Sequence, residues 1–293
     1  MDDVRAENGV MTSADVPARG FWNRPATWKV FLLIAGYLVF YLAAGWLLGL
    51  AFGDHVNKDN VLADPPSILV ALLLPVAVGA AALLVFTGRL GWLRPVFGPQ
   101  PVRGRGWMWI GPVLVVAAII GHAGATDWKA WSGGQIAMIF VLGLFIGLAE
   151  ELATRGLAVK MLRDAGHGER FAAIVSSLLF ALMHTVNLLS GMKLATVATT
   201  VVYTFGFGMC MYLAMRVTGT IWAAIVLHAV TDPTTFLSTG GLDKAVNTGG
   251  AGWTALAASA TIALIAFGVL AAFLTRGDAA PTTAPMGRSA SSR

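Results

Sequence analysis

The chain has 293 residues, 57% of them hydrophobic and only 12% charged, where a soluble domain carries about 25% charged residues. With a mean hydropathy of +0.73, this composition excludes a globular cytosolic enzyme. The net charge of +5 does not mark a nucleic-acid partner, because the basic residues sit in short connectors between apolar runs and not on one folded face. The single cysteine, Cys210, lies inside an apolar run and has no partner for an internal disulfide.

Residues 1–27 mix acidic and basic side chains without an apolar core segment, so they read as a flexible cytoplasmic tail and not as a leader. Runs free of Asp, Glu, Lys and Arg follow at 30–53, 68–87, 106–125, 194–215 and 253–274. At about 1.5 Å per residue, each is long enough to cross a hydrocarbon core of about 30 Å. Each is expected to be a helix, because lipid offers no partner for backbone amides. Three more apolar runs, 136–149, 171–183 and 220–227, are too short alone. They reach spanning length only when continued through ionisable residues to about 159, 189 and 237.

The expected fold is therefore all-α, a polytopic membrane bundle of about eight helices over 28–276, with a disordered tail at 277–293 rich in Ala, Pro, Thr and Ser. The basic residues support an even number of spans. One set of connectors holds only Lys58, Lys129, Lys193 and Lys244, one each, and the other set holds the remaining 16 of the 20 Lys and Arg. Such a bias predicts a cell-membrane protein with both termini and the arginine-rich loops in the cytoplasm. GxxxG spacings at Gly49/Gly53 and Gly143/Gly147 read as close helix packing.

Six ionisable residues interrupt these spans: Glu150, Glu151, Arg155, His184, His228 and Asp232. A charge near mid-bilayer costs from about 3 to more than 10 kcal/mol, so such residues face the bundle interior and serve a function. Glu150 lies 13 residues before Arg163, His184 lies 14 after Arg170, and His228 lies 12 after Arg216. All three are thus about 18 to 21 Å along their helices from a cytoplasmic arginine, at one level. Glu150 and Glu151 are about 100° apart on a helix and cannot address the same atom. The i,i+4 spacing pairs Glu151 with Arg155 and leaves Glu150 to face His184. His228 and Asp232, also i,i+4, share a face, and Pro233 is expected to kink their helix. By contrast, His55, His122 and His167 fall in or beside connectors and read as structural. Thr196, Thr199, Thr200, Tyr203 and Thr204 read mainly as packing residues.

In that order, Glu150-Glu151-Leu-Ala-Thr-Arg155, Phe180-Ala-Leu-Met-His184 and His228-Ala-Val-Thr-Asp232 resemble the EExxxR, FxxxH and HxxxN/D motifs of the CPBP family of intramembrane proteases, which contains the type II CAAX prenyl endopeptidase and the Abi proteins. The resemblance covers about 135–235. It implies an intramembrane endopeptidase in which Glu150 activates a water with His184, while His228 and Asp232 stabilise the oxyanion. Asp232 stands where family members often have Asn, and Thr154 where an aromatic residue is common. Family members were long described as metalloproteases, and Glu150, His184 and His228 are a possible zinc donor set. No HExxH is present and each histidine is on its own helix, so metal-free water activation is the favoured expectation. The expected partners are membrane lipid and a peptide, with a lipidated CAAX-like peptide one candidate, reached from the cytoplasmic side. A proton-coupled transporter and a non-catalytic immunity-type protein are the competing readings, since Glu and His chains also relay protons.

Overall fold

The computed structural model describes residues 20–240 and 250–277. The expected tails lie largely outside these residues, as do Arg5, Arg19, Lys244, Arg288 and Arg293. Among the described residues, eight long helices run α1 Trp28–Phe52, α2 Pro65–Arg89, α3 Gly106–Ala125, α4 Gly133–Asp164, α5 Glu169–Ser190, α6 Leu194–Thr218, α7 Ile221–Thr239 and α8 Ala251–Leu274. Among the described residues there is no strand. All but α7 are long and apolar enough to cross a membrane, and the chain is a multi-pass membrane protein.

The exception has a physical reason. α7 carries His228, Thr231, Asp232, Thr234, Thr235, Ser238 and Thr239, which dilute its apolar content. It packs against α3, α4 and α6, and His228, Thr231, Thr234 and Ser238 are buried there. Thr231, Thr234 and Thr235 return their hydroxyls to the carbonyls of Leu227, Val230 and Thr231. Every tryptophan lies in a connector or near the end of a long helix, and Trp28, Trp46, Trp109, Trp128, Trp222 and Trp253 are exposed. This is the distribution of aromatic belts at two membrane–water interfaces.

The two GxxxG spacings behave differently. A Cβ on Gly147 would lie 2.7 Å from the Ile225 carbonyl oxygen, and one on Gly143 would lie 2.5 Å from that of Ala229. These glycines let the backbones of α4 and α7 touch. Gly49 and Gly53 meet nothing within 4 Å, so the close packing expected at that pair is absent among the described residues. The other departures are at the arginine-rich end. Arg163 and Arg216, expected as connector charges, are buried, and together they hold the fully buried Glu169. Arg163 donates to both Glu169 oxygens at 2.7 and 2.8 Å, and Arg216 to Oε2 at 2.7 Å. Tyr212 donates to the same oxygen. Arg163 also reaches Gln100 at 2.8 Å and Arg216 the carbonyl of Arg103 at 2.8 Å, which straps the α2–α3 loop to the bundle. Residues 20–27, assigned to the tail by composition, are docked: Phe21–Asn23 forms a 3-10 turn, and Lys29 donates to the carbonyls of Phe21 and Arg24.

Gly147→Ala is expected to destabilise the fold by about 1–3 kcal/mol, because its Cβ meets backbone that cannot rotate away. Gly49→Ala should leave stability unchanged or raise it slightly. Thermal unfolding of the two purified variants in one detergent checks the contrast.

Candidate functional site

The site forms where α4, α5 and α7 meet. α4 is α-helical through Glu151 and then passes into a π-helical stretch, Leu152–Ala158. Such i→i+5 stretches within α-helices are frequent at functional sites. Here Thr154 donates its hydroxyl to the Glu150 carbonyl at 2.6 Å and accepts from Arg155 Nη1 at 2.6 Å. The arginine is thereby folded back along its own helix.

Arg155 Nη1 lies 3.2 Å from Glu151 Oε1, and both side chains are fully buried. The same oxygen lies 2.8 Å from His228 Nδ1. A carboxylate oxygen only accepts, so Nδ1 is protonated and donates. This pairing between α4 and α7 was not anticipated from spacing, which linked Glu151 to Arg155 alone. With Nδ1 engaged, His228 Nε2 faces Asp232 Oδ2 at 3.5 Å and Glu150 Oε2 at 3.7 Å. The imidazole is held edge-on to Phe207 and Phe180, with centroids 4.9 and 5.7 Å away. Phe180 also receives the Arg155 guanidinium on its face at 4.5 Å.

His184 is fixed in the same way. Its Nδ1 bonds the Phe180 carbonyl oxygen at 3.0 Å, which leaves Nε2 uncommitted. His184 and Glu150 line one cavity of about 90 Å³ together with Tyr37 and Tyr41 of α1, Val76 of α2, and Met183 and Asn187 of α5. That space holds more than one water, each occupying about 30 Å³ in the liquid. The exposures divide the carboxylates: the Glu150 and Asp232 side chains are 23% and 26% exposed, whereas that of Glu151 is 0%. Glu150 and Asp232 can therefore meet water or substrate, and Glu151 cannot.

Of the six residues singled out from sequence, Glu150, Glu151, Arg155, His228 and Asp232 form one contact chain, and His184 joins through the cavity it shares with Glu150. Sequence reasoning missed Gly208 and Ser177. A Cβ on Gly208 would lie 2.7 Å from Arg155 Nη2, so the glycine leaves room for the guanidinium in this position. Arg155 Nε and Nη2, Ser177 Oγ and Glu151 Oε2 are buried without hydrogen-bond partners. No residue pattern announces such a cradle, because it is made by α6 lying against α4 and α5. Two of the other three histidines have structural contacts: His122 bonds Ser238 at 2.9 Å, and His167 bonds Thr27 at 2.6 Å. Thr199, Thr200 and Thr204 return their hydroxyls to their own helix.

For zinc, the residues fall short as they stand. His228 Nε2 and Glu150 Oε2 offer two donors, but among the described residues no three His, Cys, Asp or Glu side chains converge to hold an ion. Catalytic zinc sites use three protein ligands.

Arg155→Met, which leaves the Glu151 carboxylate buried without its guanidinium, is expected to cost about 3–5 kcal/mol. The double variant Arg155→Met with Glu151→Leu should recover part of that loss, since it removes the stranded charge. Unfolding temperatures of the three proteins in one detergent give the coupling.

Residues 132–234 match the family model described as Rce1-like, type II CAAX prenyl endopeptidase Rce1-like. The matched segment is about a third of the chain and contains all six residues. That segment is similar to the Rce1-like family, which supports the resemblance to the CPBP family carried by the motifs. No curated protein and no solved structure matches the chain.

Proposed function

We propose that the protein is an intramembrane endopeptidase that hydrolyses a membrane-associated peptide, a lipidated CAAX-like C-terminus being the first candidate. The observation that carries this reading is Glu150: a partly exposed carboxylate on the wall of a water-sized cavity shared with His184, 3.7 Å from His228 Nε2. The Rce1-like match over the same helices supports the reaction class.

In the proposed step, Glu150 takes a proton from a water as it attacks the scissile carbonyl carbon. The carbonyl π electrons move onto oxygen, and His228, with both ring nitrogens protonated, donates Nε2–H to that oxyanion. As the tetrahedral intermediate collapses, the carbon–nitrogen bond breaks and the proton held by Glu150 passes to the leaving amine. His184 orients the water through Nε2. Asp232, 3.5 Å from the same His228 nitrogen, aligns the ring. Glu151 and Arg155 do not touch substrate; Glu151 fixes the His228 ring by accepting from Nδ1, and Arg155 holds Glu151. The reading is glutamate-type and metal-free, in the cell membrane, with both termini and the substrate entry on the arginine-rich cytoplasmic side.

The test is turnover of a farnesylated, internally quenched CAAX peptide by purified protein in proteoliposomes. Glu150→Gln is expected to lower kcat by about 10²-fold or more, and His228→Ala by about 10²–10³-fold, with unfolding temperature near wild type for Glu150→Gln. Wild-type turnover should survive chelation, with no stoichiometric metal in the protein. Undiminished turnover in Glu150→Gln overturns the reading. A proton flux abolished by Glu150→Gln, without peptide cleavage, would establish the transporter instead.

A further inference from the structure

α5 does not remain α-helical beyond Met183. From His184 it tightens into a 3-10 segment, His184–Ser190, longer than the three or four residues usual for that form. With 3.0 residues per turn, side chains at i and i+3 eclipse, so Asn187 stands directly over His184. Both line the cavity with Glu150. At about 2.0 Å per residue, Asn187 lies about 6 Å beyond His184 along the axis, away from the arginine-rich end. Facing it, α1 contributes Tyr37 and Tyr41, stacked with centroids 6.4 Å apart. These α1 residues lie outside the segment that matches the family.

A peptide drawn to this depth brings backbone N–H and C=O groups that lipid cannot satisfy, at several kcal/mol each. His184 Nδ1 is already spent on the Phe180 carbonyl. Among the cavity-lining side chains outside the proton chemistry, the hydroxyls of Tyr37 and Tyr41 and the carboxamide of Asn187 both donate and accept, and only the carboxamide carries an N–H donor beside a carbonyl acceptor, the pair that matches a peptide backbone. An extended peptide rises about 3.3 Å per residue, so 6 Å corresponds to two residues.

We infer that Asn187 binds the substrate backbone about two residues from the scissile bond, with the Tyr37–Tyr41 stack as the opposite wall, and so sets the register of the peptide against Glu150. This inference rests on the peptidase reading above. It adds a substrate-binding residue beyond the three motifs and makes α1 part of the specificity of the site.

The farnesylated reporter, made also as a series in which each backbone amide is replaced in turn by an ester, tests it on the full-length protein. Asn187→Ala and the near-isosteric Asn187→Leu are expected to raise KM about 10-fold, the scale of one lost hydrogen bond, with kcat within about 3-fold of wild type. An ester about two residues from the cleaved bond should raise the wild-type KM by a similar factor and leave that of Asn187→Ala unchanged, because the partner is already gone. Unchanged KM in both variants, ester effects that add fully to the substitution, or a fall in kcat at constant KM each overturn the assignment. Failure of the parent reading looks different: wild type would leave the reporter intact, or Glu150→Gln would cleave it. In either case the assignment of Asn187 falls with that reading.

Discussion

One carboxylate oxygen organises the centre of this bundle. Glu151 Oε1 is fully buried and accepts from Arg155 on its own helix and from His228 on α7. An ionised group without partners would be prohibitive at this depth, and the pair is tolerable only while both donors stay in place. The distance between α4 and α7 is therefore not free to vary. Gly143 and Gly147 supply the necessary contact by letting backbone meet backbone, and Gly208 supplies the room into which the guanidinium folds. The charge that is costly and the small residues that let it be paired are two parts of one constraint. Its result is an imidazole whose Nδ1 is committed and whose Nε2 is presented, at a fixed angle, to Glu150 and Asp232.

Much of this was legible in the chain because lipid enforces a simple grammar. A run of twenty or more uncharged residues has to be helical, so the boundaries of the spans could be placed within a few residues. The six ionisable residues stood out because few others interrupt the runs. What escaped was whatever depends on the form of the helix or on neighbours distant in sequence. Depth counted at 1.5 Å per residue assumes an α-helix, but α4 is π-helical over Leu152–Ala158, and α5 is 3-10 from His184 onward. Neither change has a residue signature in Leu-Ala-Thr-Arg-Gly or His-Thr-Val-Asn. The link from Glu151 to His228 spans 77 residues, and i,i+4 arithmetic reaches only along one helix.

The arginine-rich end carries a related lesson. Counting basic residues treats them as markers of a surface, yet Arg163 and Arg216 are buried and converge on Glu169. That single acidic residue joins α4, α5 and α6, and through Gln100 and the Arg103 carbonyl it also holds the loop before α3. Arg170 adds α8 by donating to the carbonyls of Phe273 and Thr275 at its C-terminal end, where unsatisfied carbonyls favour a cation. Charges that mark a topology in the sequence also tie the helices that carry the site.

α1 stands apart from this network, and that separation has a consequence for the site. Its buried residues, Lys29, Val30, Leu33, Ile34 and Tyr37, all lie in its first three turns, and beyond Tyr37 the helix has no buried residue. Tyr37 therefore belongs to the anchor, while Tyr41, one turn on, lines the cavity without being fixed by a core on the far side. Replacing Tyr41 removes nothing that Glu151, Arg155 or His228 rests on, whereas the α4, α6 and α7 residues packed on the buried charge, Thr154, Gly208 and His228 among them, do support it. For the proposed peptidase, the geometry thus separates two tasks. The residues proposed for the proton chemistry lie inside the segment that matches the Rce1-like model, beside the buried charge. The wall opposite Glu150 is formed by a helix outside that segment, and there the shape of the cavity can change at little cost to the fold.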